Sequence, residues 1–178
     1  VNTIRSTARI GRRASAIRIR PITPADHEVL RAFYAGLSSE SRRTRFLGAT
    51  NGIGNGQSTW FCCPDHAHRE GFVATFGWNA QPKIVGHICI EPDGPATAEV
   101  AVAVATELQG HGFGRQLVDA AVTWARREGF ETLTATMLAA NPAIQRLLTG
   151  LGLPTTAVAI GAGLIEVRID LRMARSAA

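Results

Sequence analysis

Apolar and charged positions alternate along Ile17, Arg18, Ile19, Arg20, Pro21 and Ile22, the period of a half-exposed strand. Thr23, Pro24, Ala25 and Asp26 then supply a helix start, with Thr23 as cap and Pro24 at the first helical position. That helix carries Val29, Leu30, Phe33 and Tyr34 at helical spacing, and Leu37 to Arg43 opens a short second helix ending near Leu47. Residues 48–58, rich in Gly and Asn, predict a flexible loop too polar to pack, and Thr59 to Glu70 shows no clear period. Strands are predicted over Phe72 to Trp78, Ile84 to Ile90 and Ala98 to Val104, separated by turns at Asn79 to Pro82 and Pro92 to Pro95. They read as an antiparallel meander. A long helix follows from about Gly112 to Glu128, with Phe113, Leu117, Ala121, Trp124 and Ala125 on one face and Gly129 as its stop. Thr132 to Leu138 predicts a strand and Pro142 to Thr149 a helix. The chain then closes with a hairpin, Thr156 to Ile160 and Leu164 to Leu171. The order is β-α-α-β-β-β-α-β-α-β-β.

With 178 residues, 46% of them hydrophobic, the chain suits one compact domain. A chain this long buries roughly 70% of its unfolded surface, so stability requires neither a disulfide nor a metal. No run approaches the ~18 consecutive apolar residues of a membrane span. Arg5, Arg9, Arg12 and Arg13 interrupt the opening residues, which therefore predict no secretory leader. Cys62 and Cys63 are adjacent, and the third cysteine, Cys89, completes no framework spacing. A reduced, cytoplasmic protein is expected. Cys62, Cys63, His66 and His68 could in principle ligate zinc, but adjacent cysteines strain a tetrahedral site, so a plain loop and no metal are expected.

The charge is unevenly placed. Six of the 19 basic residues fall in the first 20 positions, which hold no acid, while the remainder carries 13 basic against 14 acidic groups. The net positive charge therefore comes from the first 20 residues, most of it from an N-terminal arm, residues 1–16, ahead of a domain spanning 17–174. Phosphate-backbone binding needs an organised basic surface, so nucleic acid is disfavoured as the main partner.

The sharpest signal is Gln109-Gly110-His111-Gly112-Phe113-Gly114-Arg115, between a strand and the long helix. Alternating glycines let the backbone approach a ligand closely. The helix N-terminus behind them presents unpaired N–H groups and a positive dipole end, which together suit an anionic phosphate. Arg115 adds a charge at the rim, and His111 could donate to a phosphate. The spacing is neither the dinucleotide fingerprint, whose third glycine would stand at Arg115, nor the mononucleotide loop, which needs a following lysine.

On these residues the chain resembles the GCN5-related N-acetyltransferase (GNAT) family over about residues 17–174. The resemblance implies that Gln109, Gly112 and Gly114 wrap the pyrophosphate of acetyl-CoA, with Gly110, His111, Phe113 and Arg115 in the same loop. It implies that Val102 and Val104, flanking Ala103, hold the pantetheine by backbone hydrogen bonds. The later motif Asn141-Pro142-Ala143-Ile144-Gln145-Arg146-Leu147-Leu148 resembles the family's asparagine-plus-helix segment, so Asn141, Ile144 and Leu147 are further coenzyme contacts, although Asn141 before proline is also a helix cap. The implied fold is a mixed α/β, seven-stranded, mostly antiparallel sheet, splayed between its fourth and fifth strands and flanked by about four helices. Within the family, Ile19 to Asp26, Leu37 to Phe46 and Arg69-Glu70 resemble the catalytic domain of bacterial Pat-type protein lysine acetyltransferases. A protein lysine is thus the favoured acceptor, with a small amine or a non-catalytic acyl-CoA-binding module as alternatives.

An alkyl ammonium with pKa near 10.4 is neutral in only about one part in 2,500 at pH 7, so exposing its lone pair costs roughly 4.6 kcal/mol. A positioned carboxylate can take that proton. Alternation places Glu99 with Ala101 and Ala103 on one face of a strand expected to be interior, where burial would raise a carboxyl's pKa. Glu99 is the candidate general base, in the strand where the Pat-type resemblance also implies one, and Glu91, sharing a face with His87 and Cys89, is the alternative. The family's usual general acid is a tyrosine on the last helix, where this chain reads Leu147-Leu148-Thr149. Tyr34, the single tyrosine, falls in the first helix and reads as packing. Arg42, Arg43 and Arg45 read as a solvated helix face or as contacts for an acidic protein substrate.

Overall fold

The computed structural model describes residues 17–76 and 83–173. The predicted arm over 1–16, the turn at 79–82 and the predicted strand end at Gly77 and Trp78 lie outside the described residues. The elements are β1 (Ile17–Pro21), α1 (His27–Gly36), α2 (Ser39–Phe46), α3 (Asn55–Cys62), β2 (Glu70–Phe76), β3 (Lys83–Pro92), β4 (Thr97–Val104), α4 (Phe113–Arg127), β5 (Thr132–Leu138), α5 (Pro142–Thr149), β6 (Thr155–Gly161) and β7 (Leu164–Asp170). Short 3₁₀ turns occupy Pro24–Asp26 and Thr106–Leu108. Among the described residues no helix is long and apolar enough to cross a membrane.

The strands form one seven-stranded sheet in the order β1-β2-β3-β4-β5-β7-β6. Every neighbouring pair is antiparallel except β4 and β5, which run parallel. That parallel pair is short: Thr97, Ala98 and Glu99 face Thr132, Leu133 and Thr134, and no later residue of β4 has a partner on β5. The two strands part beyond Glu99, so the expected splay between the fourth and fifth strands is present.

α4 covers one face of the sheet with the apolar stripe its periodicity predicts. Leu117, Ala121, Trp124 and Ala125 are buried, while Phe113 is half-buried. The helix lies so close to β3 that a Cβ on Gly86 would stand 2.9 Å from Leu117 Cδ1 and would force that side chain to shift. Gly86, Ile88 and Ile90 therefore point toward α4, and the strand period turns His87, Cys89 and Glu91 to the opposite face, under α1, α2 and α3. On β4 their register partners are Ala103, Ala101 and Glu99.

The start of α1 follows the chemistry read from Thr23 to Asp26. The Thr23 amide and hydroxyl both donate to Asp26 Oδ2, at 2.8 and 2.9 Å, and Arg20 grips the same carboxylate at 2.6 and 2.7 Å. Burial pushes the Asp26 carboxyl up, but these hydrogen bonds outweigh it and hold it below the ordinary range. α2 is capped by the Ser38 hydroxyl, which accepts from the Ser41 amide at 3.1 Å. One element departs from the sequence expectation. Asn55–Cys62, read as polar loop and an aperiodic stretch, is a fifth helix, α3, where about four were expected. Its Phe61 and Cys62 are buried, and the buried Ser58 hydroxyl donates to the His27 carbonyl at 2.9 Å, so tertiary packing overrides weak local propensity.

Candidate active site

Where β4 and β5 part, a cavity of about 750 Å³ opens between them, bounded by α2, the glycine loop, α4 and α5. Val102, Ala103, Val104, Gln109, Gly110, Gly112, Gly114, Arg115, Asn141, Ile144 and Leu147 line it. Gly110 and Gly112 adopt left-handed backbone, φ 78° and 86°, and a Cβ on either would meet nothing within 4 Å. Their glycine identity therefore answers a backbone requirement, with open space in front of it. Gly112 is the N-cap of α4 and no side chain caps that terminus, so first-turn amides are left for a ligand. These features fit a phosphate-bearing ligand.

Two residues of the loop lie outside the lining. His111 is exposed, its Nδ1 2.9 Å from the Gln109 carbonyl oxygen, and its ring stacks on Phe113 at 6.3 Å between centroids. That pairing stiffens the turn from outside. Arg115 reaches the cavity wall but is not a free rim charge: its Nε donates to both oxygens of Asp119 at 3.0 Å and its Nη1 donates to the Gly150 carbonyl, tying α4 to the end of α5. Gln109 Nε2 donates to the Val104 carbonyl and to Ser41 Oγ, each at 3.2 Å, bracing the loop against α2. Asn141 both caps α5, its Oδ1 accepting from the Ile144 amide at 3.3 Å, and lines the cavity.

Glu99 corrects an expectation. It is exposed, not buried, because the helices on its side of the sheet cover Ala103 but not position 99. It is the last β4 residue paired with β5, at the closed end of the splay, and it acts electrostatically on Arg45. Glu91 stands directly opposite on β3 and is occupied: Arg69 Nε donates to its Oε2 at 2.6 Å and Trp60 Nε1 to its Oε1 at 3.1 Å. Neither carboxylate lines the 750 Å³ cavity.

The floor beneath them is aromatic and polar by turns. Tyr34 and His87 are both fully buried, with the tyrosine oxygen 2.8 Å from His87 Nδ1. Burial pushes the Tyr34 hydroxyl up to about 12 and the His87 imidazole down to about 3, so both stay neutral at ordinary pH. Arg45, read from sequence as a solvated or substrate-facing charge, is half-buried instead. Its guanidinium lies 5.0–6.0 Å from the ring centres of Phe46, Phe61 and Tyr34, and its Nη2 is 3.2 Å from Cys89 Sγ. Arg42 is likewise structural, donating to the carbonyls of Ala35, Leu37 and Thr50, and only Arg43 of the three is exposed. The roles of Trp60, Arg69 and Arg45 left no local signal in the sequence, since the side chains that anchor them, Glu91 and Cys89, are more than 20 positions away. Among the described residues no three His, Cys, Asp or Glu side chains converge to hold a metal.

Residues 39–153 match the model of the acetyltransferase (GNAT) family. Acetyltransferase PA5475 of Pseudomonas aeruginosa is 30% identical over 140 residues, covering 76% of this chain and 74% of the relative. The GNAT domain of S. lividans PAT superposes with a TM-score of 0.79 at 26% identity, over 86% of this chain and 90% of that one. The Salmonella typhimurium acetyltransferase yncA, solved with its cofactor acetyl-CoA, shares the fold at a TM-score of 0.67 and 21% identity, over 92% and 99% of the two chains. Sequence match and superposition agree with the parted strands and the uncapped helix start, and the chain belongs to the acetyltransferase (GNAT) family as an N-acetyltransferase.

Proposed function

We propose that this enzyme moves an acetyl group from acetyl-CoA to a protein lysine by direct attack within a ternary complex, with Glu99 as general base. The observation that carries the base assignment is the contrast between two facing carboxylates. Glu91 is held by Arg69 and Trp60, whereas Glu99 has no hydrogen-bond partner among the described residues and sits where β4 and β5 separate. The lysine acceptor is supported by the Pat-type features of residues 19–46 and by the superposition on the GNAT domain of S. lividans PAT.

Acetyl-CoA, the co-substrate of this family, supplies an acetyl group activated as a thioester. The residues that would hold it are the loop amides from Gly110 to Gly114, at its pyrophosphate, and the backbone of β4 around Val102 and Val104 that has no β5 partner, with the Val104 carbonyl held by Gln109, along its pantetheine. Glu99 takes the proton from the acceptor ammonium, leaving the nitrogen lone pair free to attack the thioester carbonyl carbon. A backbone N–H of β4 donates to the carbonyl oxygen as negative charge develops there. The C–S bond then breaks and the sulfur leaves as thiolate, whose ordinary pKa near 8.5 makes an acid optional. Tyr34 supplies none, being fully buried against His87. A cysteine relay is disfavoured as well: burial holds the Cys89 thiol above its ordinary value, hence protonated.

Incubation with radiolabelled acetyl-CoA and a cell lysate tests the acceptor class. Label in protein lysines, lost with Glu99→Gln at unchanged coenzyme affinity, is expected. Label confined to small molecules would replace the lysine reading with small-amine acetylation. Coenzyme binding without any transfer would leave an acyl-CoA-binding module.

A further inference from the structure

Trp60, in the last turn of α3, is 54% exposed, whereas Trp124 on α4 is buried against the sheet. Its exposure is not looseness. The indole Nε1 donates to Glu91 Oε1 at 3.1 Å, the Arg69 guanidinium carbon lies 3.4 Å from the ring centre, and Arg69 Nη2 donates to the Trp60 carbonyl at 2.9 Å. Arg69 closes the triangle by donating to Glu91 Oε2 at 2.6 Å. A large amphipathic ring is thus fixed in one orientation while half of it faces solvent, and the two charges that fix it cancel each other. A pre-ordered tryptophan loses little conformational entropy when a partner covers it, which is why such rings dominate binding energy at interfaces.

Its position gives the patch an occupant. Glu91 faces Glu99 across β3 and β4, a pairing that sets the two Cβ atoms about 5 Å apart. The indole lies one hydrogen bond beyond Glu91, so its open part stands roughly 10 Å from the base. A small amine seated at Glu99 does not span that distance. An extended polypeptide does, at about 3.3 Å per residue, with the side chain two or three positions from its lysine.

We propose that Trp60, clamped by Arg69 and Glu91, is the docking platform for the polypeptide segment flanking the acceptor lysine, and that it selects an apolar side chain two or three residues away. The proposal rests on the lysine reading above. It makes Trp60 a specificity determinant for polypeptide acceptors alone.

The test uses the full chain with a positional-scanning heptapeptide library fixed on a central lysine, and Nα-acetyl-lysine methylamide as a single-residue acceptor. Wild-type enzyme is expected to favour apolar residues two or three positions from the lysine. Trp60→Ala should raise KM for the best peptide on the order of tenfold with kcat within about twofold. Its KM for acetyl-CoA and its activity on the methylamide should be unchanged. Trp60→Phe, which keeps a ring, gives an intermediate KM and stands in should Trp60→Ala fail to fold. An unchanged peptide KM, or an equal loss on both acceptors, overturns the platform while the lysine reading stands. If wild-type enzyme labels neither acceptor, the lysine reading and the platform fall together.

Discussion

The coenzyme-side wall of the cleft comes from nearly continuous chain, Val102 to Arg115, completed by Asn141 to Leu147. The opposite side presents α2 to the cavity, and behind and beside α2 the elements α1, α3 and β3 are joined by contacts of Tyr34 with His87, Arg45 with Cys89, Trp60 with Glu91 and Arg69 with Glu91, of which only Arg45 lines the cavity. The first offers a ligand mainly backbone: left-handed glycines, uncapped helix amides and a strand edge without a partner. The second offers side chains whose geometry exists only after folding. Backbone recognition suits a co-substrate shared by a whole family, because it tolerates side-chain drift. Side-chain recognition suits an acceptor that differs from one enzyme to the next.

The hardest test of that division removes the proposed base. Glu99→Gln should lower kcat/KM for the acceptor by about 10²–10⁴-fold, the usual worth of a positioned proton acceptor, while calorimetry gives acetyl-CoA affinity within about twofold of wild type. A parallel loss of coenzyme affinity would mean that the two walls do not act separately. Glu91→Gln should instead cost stability, by releasing Arg69 and Trp60, and its activity on a single-residue acceptor should survive.

The buried Tyr34–His87 pair, packed behind the acceptor side, gives the folded state a pH signature. The folded imidazole resists protonation until about pH 3, whereas the unfolded one titrates at 6.5. Below pH 6.5 the unfolded state therefore takes up a proton that the folded state refuses, so stability is full above that pH and falls as pH drops through the window from 6.5 to 3. Between pH 7 and pH 5 this amounts to about 2 kcal/mol. Urea unfolding at the two pH values should show wild type losing about that much more than His87→Gln. Equal losses would place the histidine in contact with water.

The same division explains what could be read from the sequence. The element order and the loop from Gln109 to Arg115 were legible because periodicity and glycine spacing are local properties, and the splay was expected only through the family resemblance those residues carry. α3 was not, since Asn55 and Gly56 are weak helix formers and Gly54 offers no capping side chain; Phe61, Cys62 and Ser58 hold the helix through contacts with other elements. Exposure of Glu99 was illegible for a related reason. Alternation assigns its face but not how far the covering helices extend along the strand. Arg45 and Arg42 looked like surface charge because a run of arginines carries no record of the carbonyls and rings it will meet.

On the coenzyme side the largest single-residue effect is expected at Gly112. Because a Cβ there meets nothing within 4 Å, Gly112→Ala tests backbone conformation with no steric confusion. Holding alanine at φ 86° costs about 1–2 kcal/mol, so acetyl-CoA affinity should fall about tenfold or the helix start should shift, with Gly112→Asn less affected. Arg115→Met is the quieter counterpart. Its guanidinium is spent on Asp119 and the Gly150 carbonyl, so the variant should lose thermal stability while its acetyl-CoA affinity stays within about twofold, because one exposed charge contributes little. A tenfold loss of affinity that faded as salt was raised would show instead that the guanidinium turns to the phosphates when the ligand arrives, and would move one side chain into a wall otherwise built of main chain.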